Sequence, residues 1–493
     1  MLFSRPNPVL ATLAASVLLA ACGGSDDGAA PTPPPVAEET RPHDSRVFTA
    51  DATATSFDAM APAAGDAIDV ATTSRWAGVL GGAGYRVEVP ANWNGVLVMY
   101  AHGYRGEGSE LTVSNPSIRR HLINQGYAWA ASSYSRNYYD VRAGVEDTNA
   151  LALQFGAIAK AGGRTLATPS KIYITGHSMG GHIAGAAIEA ETQATARNKV
   201  SYAGAVPMCG VMGDTELFNI FAGIQMSAQA LTGIPNYPSA LWPEISGLVT
   251  GTLFSSFPTP TDPYAQIGVT TAGMPFASVL MNLTGGPRPM FDLGLAFGGS
   301  FPSVWGALGG DGSITGILNR NVLDTNALTY TILGDTAGSL ALNAAAQKLT
   351  AAADANRLRT DGLRWIPKVN GEFSVPVVSI HTLGDLFVPF SMQQVYAQRA
   401  TAKGSSGMLV QRAIRGVSHC DFTVAEEVNA FEAMVVWERD KIKPEGDDVR
   451  DMATVAAPTY GCKFTVNTLG PDENGVTLAL RPTAAALRSC PST

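Results

Sequence analysis

The chain has 493 residues, 46% hydrophobic and 15% charged, with a formal net charge of −8. That much apolar sequence excludes a disordered chain and suffices for one large domain with an insertion, or for two domains. No run of Lys or Arg supplies a stripe that could track phosphates, so nucleic acid is excluded as a partner.

The N-terminus reads as a targeting segment and stands outside the fold. Arg5 precedes an apolar run from Val9 to Ala21 that is short for a spanning helix. The run ends in Leu19-Ala20-Ala21-Cys22-Gly23, which resembles the bacterial lipobox. The resemblance implies a signal peptide over 1–21, lipid on Cys22, and a place in the bacterial cell envelope. By the same resemblance this is an outer-membrane lipoprotein facing the periplasm or the exterior. An ordinary secretory signal that ends near a Cys is the alternative. Residues 22–70 then form a tether and lead-in, with Pro33-Pro34-Pro35 inside its Gly-, Asp- and Thr-rich part.

Folding elements follow in order. Trp76–Leu80 and Tyr85–Val89 read as strands joined across Gly81-Gly82-Ala83-Gly84. Gly95–Ala101 is a continuous apolar run, as a strand buried on both faces requires. Helical spacing predicts helices over 117–124 and 145–161, with a strand at 127–131 between them. Ile172–Thr175 is a further strand, and an Ala-rich helical pattern runs from Gly180 to about Ala196. Ala203–Met208 is the next strand. Strands alternating with helices predict a mostly parallel α/β sheet with helices on both faces. From 210 to 370 the alternation stops. This stretch is sparse in charge and rich in Gly, Pro and aromatics, and is too long for a structureless loop. It reads as an inserted, partly helical cap. The sheet resumes at Val375–Thr382, with a helix over 392–400, a strand over 408–414 and a helix over 423–441. The core is thus 71–209 plus 371–445, and 446–493 is a C-terminal extension.

Between the strand at 172–175 and the helix after it stands Gly176-His177-Ser178-Met179-Gly180-Gly181. Strand, sharp turn and helix with Ser at the apex is the context that a G-x-S-x-G nucleophile elbow needs. A serine hydroxyl is a weak nucleophile unless a base takes its proton and a third group orients that base. Both follow downstream. Asp385 lies just past the strand at 375–382, and His419 just past the strand at 408–414. Open α/β sheets place their sites at such strand ends. His419 alone of the seven histidines falls on a loop at the right point in chain order. Asp214 is the alternative acid.

The elbow, Ala101-His102-Gly103, the strand-end Asp385 and Gly416-Val417-Ser418-His419 together resemble the α/β-hydrolase superfamily. The resemblance covers roughly 75–209 and 371–441. It implies the α/β-hydrolase fold, a Ser178–His419–Asp385 triad, and an oxyanion hole from the backbone N–H groups of Met179 and Tyr104. No cofactor is needed for such chemistry.

Of five cysteines, Cys22 takes the lipid. Cys462 and Cys490 both lie in the extension and could close a local loop. That leaves Cys209 with Cys420, one at a strand end and one beside His419. Two free thiols are the alternative. No C-x-x-C spacing is present, so a zinc site is not expected. The cap's Trp242, Phe254, Phe257, Phe276, Phe291, Phe297, Phe301 and Trp305 either line a pocket or form the cap's own core. The expected function is a secreted, lipid-anchored serine hydrolase of esters with apolar or aromatic groups, on a small-molecule or polymeric substrate. A peptidase or amidase of the same fold, or a non-catalytic surface-binding lipoprotein, are the alternatives.

Overall fold

The sheet that organises the chain has eight strands: β1 Ser74–Leu80, β2 Ala83–Val89, β3 Val96–Ala101, β4 Ala128–Ser132, β5 Lys171–His177, β6 Gly204–Met208, β7 Val377–Thr382 and β8 Leu409–Ile414. These come from a computed structural model that describes residues 45–50, 56–238, 241–259, 261–262, 265–297, 300–305 and 322–491. The signal segment, Cys22 and most of the tether lie outside the described residues. The described residues belong to one compact unit. Their spatial order is β8-β7-β6-β5-β3-β4-β2-β1. Only β2 runs against the rest.

Helices cover both faces: α1 Arg119–Asn124, α2 Val141–Ala161, α3 Met179–Ala187, then α4 Glu216–Leu231, α5 Trp242–Leu253, α6 Met274–Leu283, α7 Phe291–Ala296, α8 Phe301–Trp305 and α9 Thr336–Ala345 within the 210–370 insertion, followed by α10 Ser391–Lys403, α11 Val424–Asp440 and α12 Gly475–Leu487. Strands β3, β4, β6, β7 and β8 are buried almost throughout, because parallel strands covered on both faces leave no solvated side. Asp140 accepts from Ala143 N at 3.0 Å and so starts α2 four residues before the periodic pattern does.

The helix after the elbow is shorter than its Ala-rich pattern predicts. α3 stops at Ala187, and a second short helix runs over Ala190–Thr195. Glu189 between them is extended, and its buried carboxylate accepts from Gly371 N at 2.9 Å and Glu372 N at 3.0 Å. Two satisfied backbone donors from the segment leading into β7 outweigh helix propensity here.

In the segment between β6 and β7, Trp242, Phe254, Phe257, Phe276, Phe301 and Trp305 pack on one another, with ring centroids 5.1 to 6.3 Å apart. All but Phe257 belong to the same buried cluster as Leu97, Met99, Ile174 and Ala205 of the sheet, and Phe257 packs against that cluster. The extension covers the β8 edge: Asp447 N donates to Gln411 O at 2.7 Å, and Ala413 N donates to Asp447 Oδ2 at 2.8 Å. Pairing an edge in this way removes a template for aggregation.

Candidate active site

Strand register brings the site together. Ala101 is paired with Gly176, and His177 with Met208, so the ends of β3, β5 and β6 are level. Thr382 is paired with Ile414, so the loops after β7 and β8 leave the sheet side by side.

Ser178 stands at φ 58°, ψ −121° between β5 and α3. Such a backbone is costly for a residue with a side chain and persists only where its surroundings enforce it. Close packing enforces it here. A Cβ on Gly180 would lie 2.0 Å from Ala101 O, and one on Gly176 would lie 2.3 Å from Gly180 O. Ser178 N donates to Met208 O at 3.0 Å, which pins the turn to β6.

The Ser178 hydroxyl is 2.8 Å from His419 Nε2, and His419 Nδ1 is 2.6 Å from Asp385 Oδ2. The chain of bonds fixes the tautomer: Nδ1–H donates to the carboxylate, leaving Nε2 to accept from the hydroxyl. Asp385 is fully buried. Its Oδ1 accepts from Phe387 N at 2.9 Å and Val388 N at 3.0 Å. Both carboxylate oxygens are therefore held, and the imidazole they face is held in turn.

Met179 opens α3, directly after the serine. Tyr104 follows Gly103, where a Cβ would lie 3.2 Å from Ser178 Cβ and 3.7 Å from its Oγ. The loop that carries Tyr104 thus packs directly on the serine.

Both expected disulfides are present as Cys209–Cys420 and Cys462–Cys490. Cys209 and Cys420 each have positive φ. Cys420 Sγ lies 3.4 Å from His419 Nε2. The bridge ties the histidine loop to the end of β6, the strand that also receives Ser178 N. These cysteines and His419 form a cluster with metal-ligand spacing. Sulfurs joined to each other offer no thiolate to an ion.

The other candidates have structural partners. Asp214 pairs with Arg399 at 2.5 Å and accepts from Val369 N at 3.1 Å, so it does not reach His419 as an acid. His177 contacts Glu427 at 3.1 Å and Tyr100 at 3.2 Å. His182 accepts from the Tyr139 hydroxyl at 2.9 Å and donates to Pro367 O at 2.7 Å. His381 donates to Val388 O at 2.7 Å, and burial holds its pKa below the usual range. Burial likewise pushes His102 down to about 4.

Phe387, which the sequence alone does not single out, borders His419, with Phe221 behind it. The Phe387 ring meets His419 edge-on at 5.3 Å, and Phe221 of α4 stacks on Phe387 at 5.8 Å. Phe387 is only partly buried. Its place two residues after Asp385 was the available signal.

One antiparallel strand in eight, an elbow after β5, an acid after β7 and a histidine after β8 decide the architecture. The chain has the α/β-hydrolase fold. No family model matches it. Among curated proteins, o-phthalyl amidase of Xanthobacter agilis is 31% identical over 67 residues, 14% of this chain. That match spans 15% of the amidase's own length. Feruloyl esterase B from Aspergillus oryzae aligns over 76% of this chain and 82% of its own at 14% identity, with a TM-score of 0.42. Tannin acyl hydrolase from Aspergillus niger aligns over 76% and 79% at 11% identity, with a TM-score of 0.40.

Proposed function

We propose that this protein is a serine hydrolase of carboxylic esters, carried outside the cytoplasm on a lipid at Cys22. The observation that carries this reading is the unbroken bond chain from Ser178 through His419 to buried Asp385, set on a strained elbow. His419 takes the Ser178 proton as Oγ attacks the ester carbonyl. The backbone N–H groups of Met179 and Tyr104 stabilise the oxyanion. The imidazolium returns its proton to the leaving alcohol, and an acyl-serine remains. Water, deprotonated by the same histidine, then releases the acid and restores the serine. Asp385 holds the tautomer and offsets the charge on the imidazolium. The two disulfides fit an oxidising compartment.

The Phe387–Phe221 stack supports an apolar or aromatic group on the substrate. An ester panel on the chain lacking residues 1–22 tests this. We expect aromatic acyl esters to exceed acetate esters in kcat/KM. Phe387→Ala should cut that preference about tenfold, in line with the loss of one aromatic contact. An unchanged ratio in Phe387→Ala would rule the stack out as a substrate wall.

Amide hydrolysis is the second reading, because the same triad serves it and the X. agilis protein with the local match is named an amidase. Matched 4-nitroanilides in the panel separate the two. Turnover of the anilide at the ester's rate would favour the amidase.

The anchor has its own test. Cys22→Ser should move the full-length chain from the membrane to the soluble envelope fraction, because the lipid is lost while the fold is untouched. Continued co-sedimentation with membranes would refute lipidation at Cys22.

A further inference from the structure

The loop that carries Asp385 is gripped by the cap along most of its length. Gly294 of α7 lies so close that a Cβ there would be 2.2 Å from Gly384 O. Leu386 N donates to Ser300 Oγ at 3.4 Å, and Phe387 stacks on Phe221. Arg288, in the turn between α6 and α7, reaches Leu383, two residues before the acid. Its Nε donates to Leu383 O at 2.7 Å, and its Nη1 donates to Gly286 O at 3.0 Å. Both Nη atoms are 3.3 Å from Thr284 Oγ1.

Every one of these acceptors is neutral. Arg288 is only 7% exposed, and among the described residues no carboxylate lies within ion-pair distance of it. A buried guanidinium without a counter-ion is expensive. Asp385 presents the complementary case. It is fully buried, and its ion-pair neighbours are His419 and His381, with no Lys or Arg. While both histidines are neutral, its carboxylate has no direct cation. Two buried groups of opposite charge, neither with an Arg, Lys or carboxylate partner at ion-pair distance among the described residues, thus sit on adjoining loops. Burial works against the charge on Arg288, and the Asp385 carboxylate works for it.

We infer that Arg288 is a positioning residue for Asp385, through which the cap holds the acid of the triad in register with His419. The inference rests on the proposed role of Asp385 as orienter of His419. On this account the cap is a structural arm of the catalytic apparatus at this point as well as a cover. The guanidinium fixes the backbone on which the carboxylate is mounted and balances its charge before the imidazole takes a proton. It touches no reacting atom.

Arg288→Met, Arg288→Gln and Arg288→Lys, made in the chain lacking residues 1–22, test the inference with a neutral 4-nitrophenyl ester. For Arg288→Met we expect kcat to fall about 10- to 100-fold with KM within about threefold, because an interaction that serves the transition state has been removed. Arg288→Lys, which keeps the charge, should recover a good part of the loss. A residue that only fastens the cap would raise KM or lower the melting temperature without this kcat-selective loss. A folded Arg288→Met that keeps kcat within about twofold, or that changes KM alone, overturns the inference. If Arg288→Met does not fold, Arg288→Gln is judged by the same criterion, and Arg288→Lys should lose less kcat than Arg288→Gln. Ser178→Ala run in parallel keeps the two claims apart. Turnover that survives Ser178→Ala defeats the proposed chemistry. Turnover that depends on Ser178 and ignores Arg288 defeats only this inference.

Discussion

Ser178→Ala should lower ester turnover by a factor on the order of 10⁴ to 10⁶ and leave the fold intact. The fold should survive because the Ser178 side chain makes one hydrogen bond, to His419 Nε2, while the elbow is held by backbone packing that Ala preserves. His419→Ala should cost a similar factor, and the double variant little more, since nucleophile and base act as a unit. Asp385→Asn should retain the geometry of the loop but present an amide to His419 Nδ1. That choice favours the wrong tautomer and should cost about 10⁴ in kcat. Fluorophosphonate labelling gives a readout independent of substrate choice. Wild-type protein should label at Ser178, and neither Ser178→Ala nor His419→Ala should label. Labelling of Ser178→Ala at the wild-type rate would place the nucleophile elsewhere and sink the proposed chemistry.

The parts of this molecule that were legible in sequence share a physical reason. A strand buried on both faces is rich in apolar residues, so β3 is visible at once, and β5, β7 and β8 keep enough Val, Ile and Leu to read as strands around Thr175, Ser379, His381, Gln411 and Arg412. The elbow is visible because backbone crowding at Gly176 and Gly180 admits no side chain, whatever the surroundings. Ser178, Asp385 and His419 each lie at a strand end, and parallel register alone brings those ends level. Phe221, Phe387 and Arg288 are different. Their neighbourhood depends on the path of a cap whose sequence has few charges and no sustained period. Nothing local to Arg288 announces that Leu383 lies above it. The halt of α3 at Ala187 has the same origin, since it depends on a carboxylate meeting backbone from residues 371 and 372.

The C-terminal extension shows how far such distant contacts reach toward the site. Arg481 of α12 is 1% exposed; its Nη1 donates to Glu426 Oε1 at 2.6 Å and its Nη2 to Glu426 Oε2 at 3.1 Å. Nη2 also donates to Asp421 O, two residues beyond His419. Glu426 in turn accepts from Thr423 N at 2.8 Å in the capping box of α11 and from Val466 N at 2.8 Å. Asp421 Oδ1 also lies 3.8 Å from Nη2, so one buried arginine with two carboxylates joins the extension, the start of α11 and the histidine loop. Arg481→Met should cost about 3 to 5 kcal/mol, because Glu426 is left buried and uncompensated. Burial already raises the pKa of Glu426 and Arg481 opposes that rise, so removal of the arginine lifts it further. A carboxyl whose folded pKa lies above its unfolded value gains a proton preferentially in the folded state as pH falls. The gap in melting temperature between Arg481→Met and wild type should accordingly narrow as pH is lowered. Glu426→Gln in the Arg481→Met background should recover part of the stability at neutral pH, since the Glu426 charge is gone while buried Asp421 still lacks its arginine. A penalty below about 1 kcal/mol that does not change with pH would mean that the pair is not the joint. A kcat loss in Arg481→Met that the second substitution does not restore would show that the bond to Asp421 O, rather than overall stability, holds the histidine loop in place.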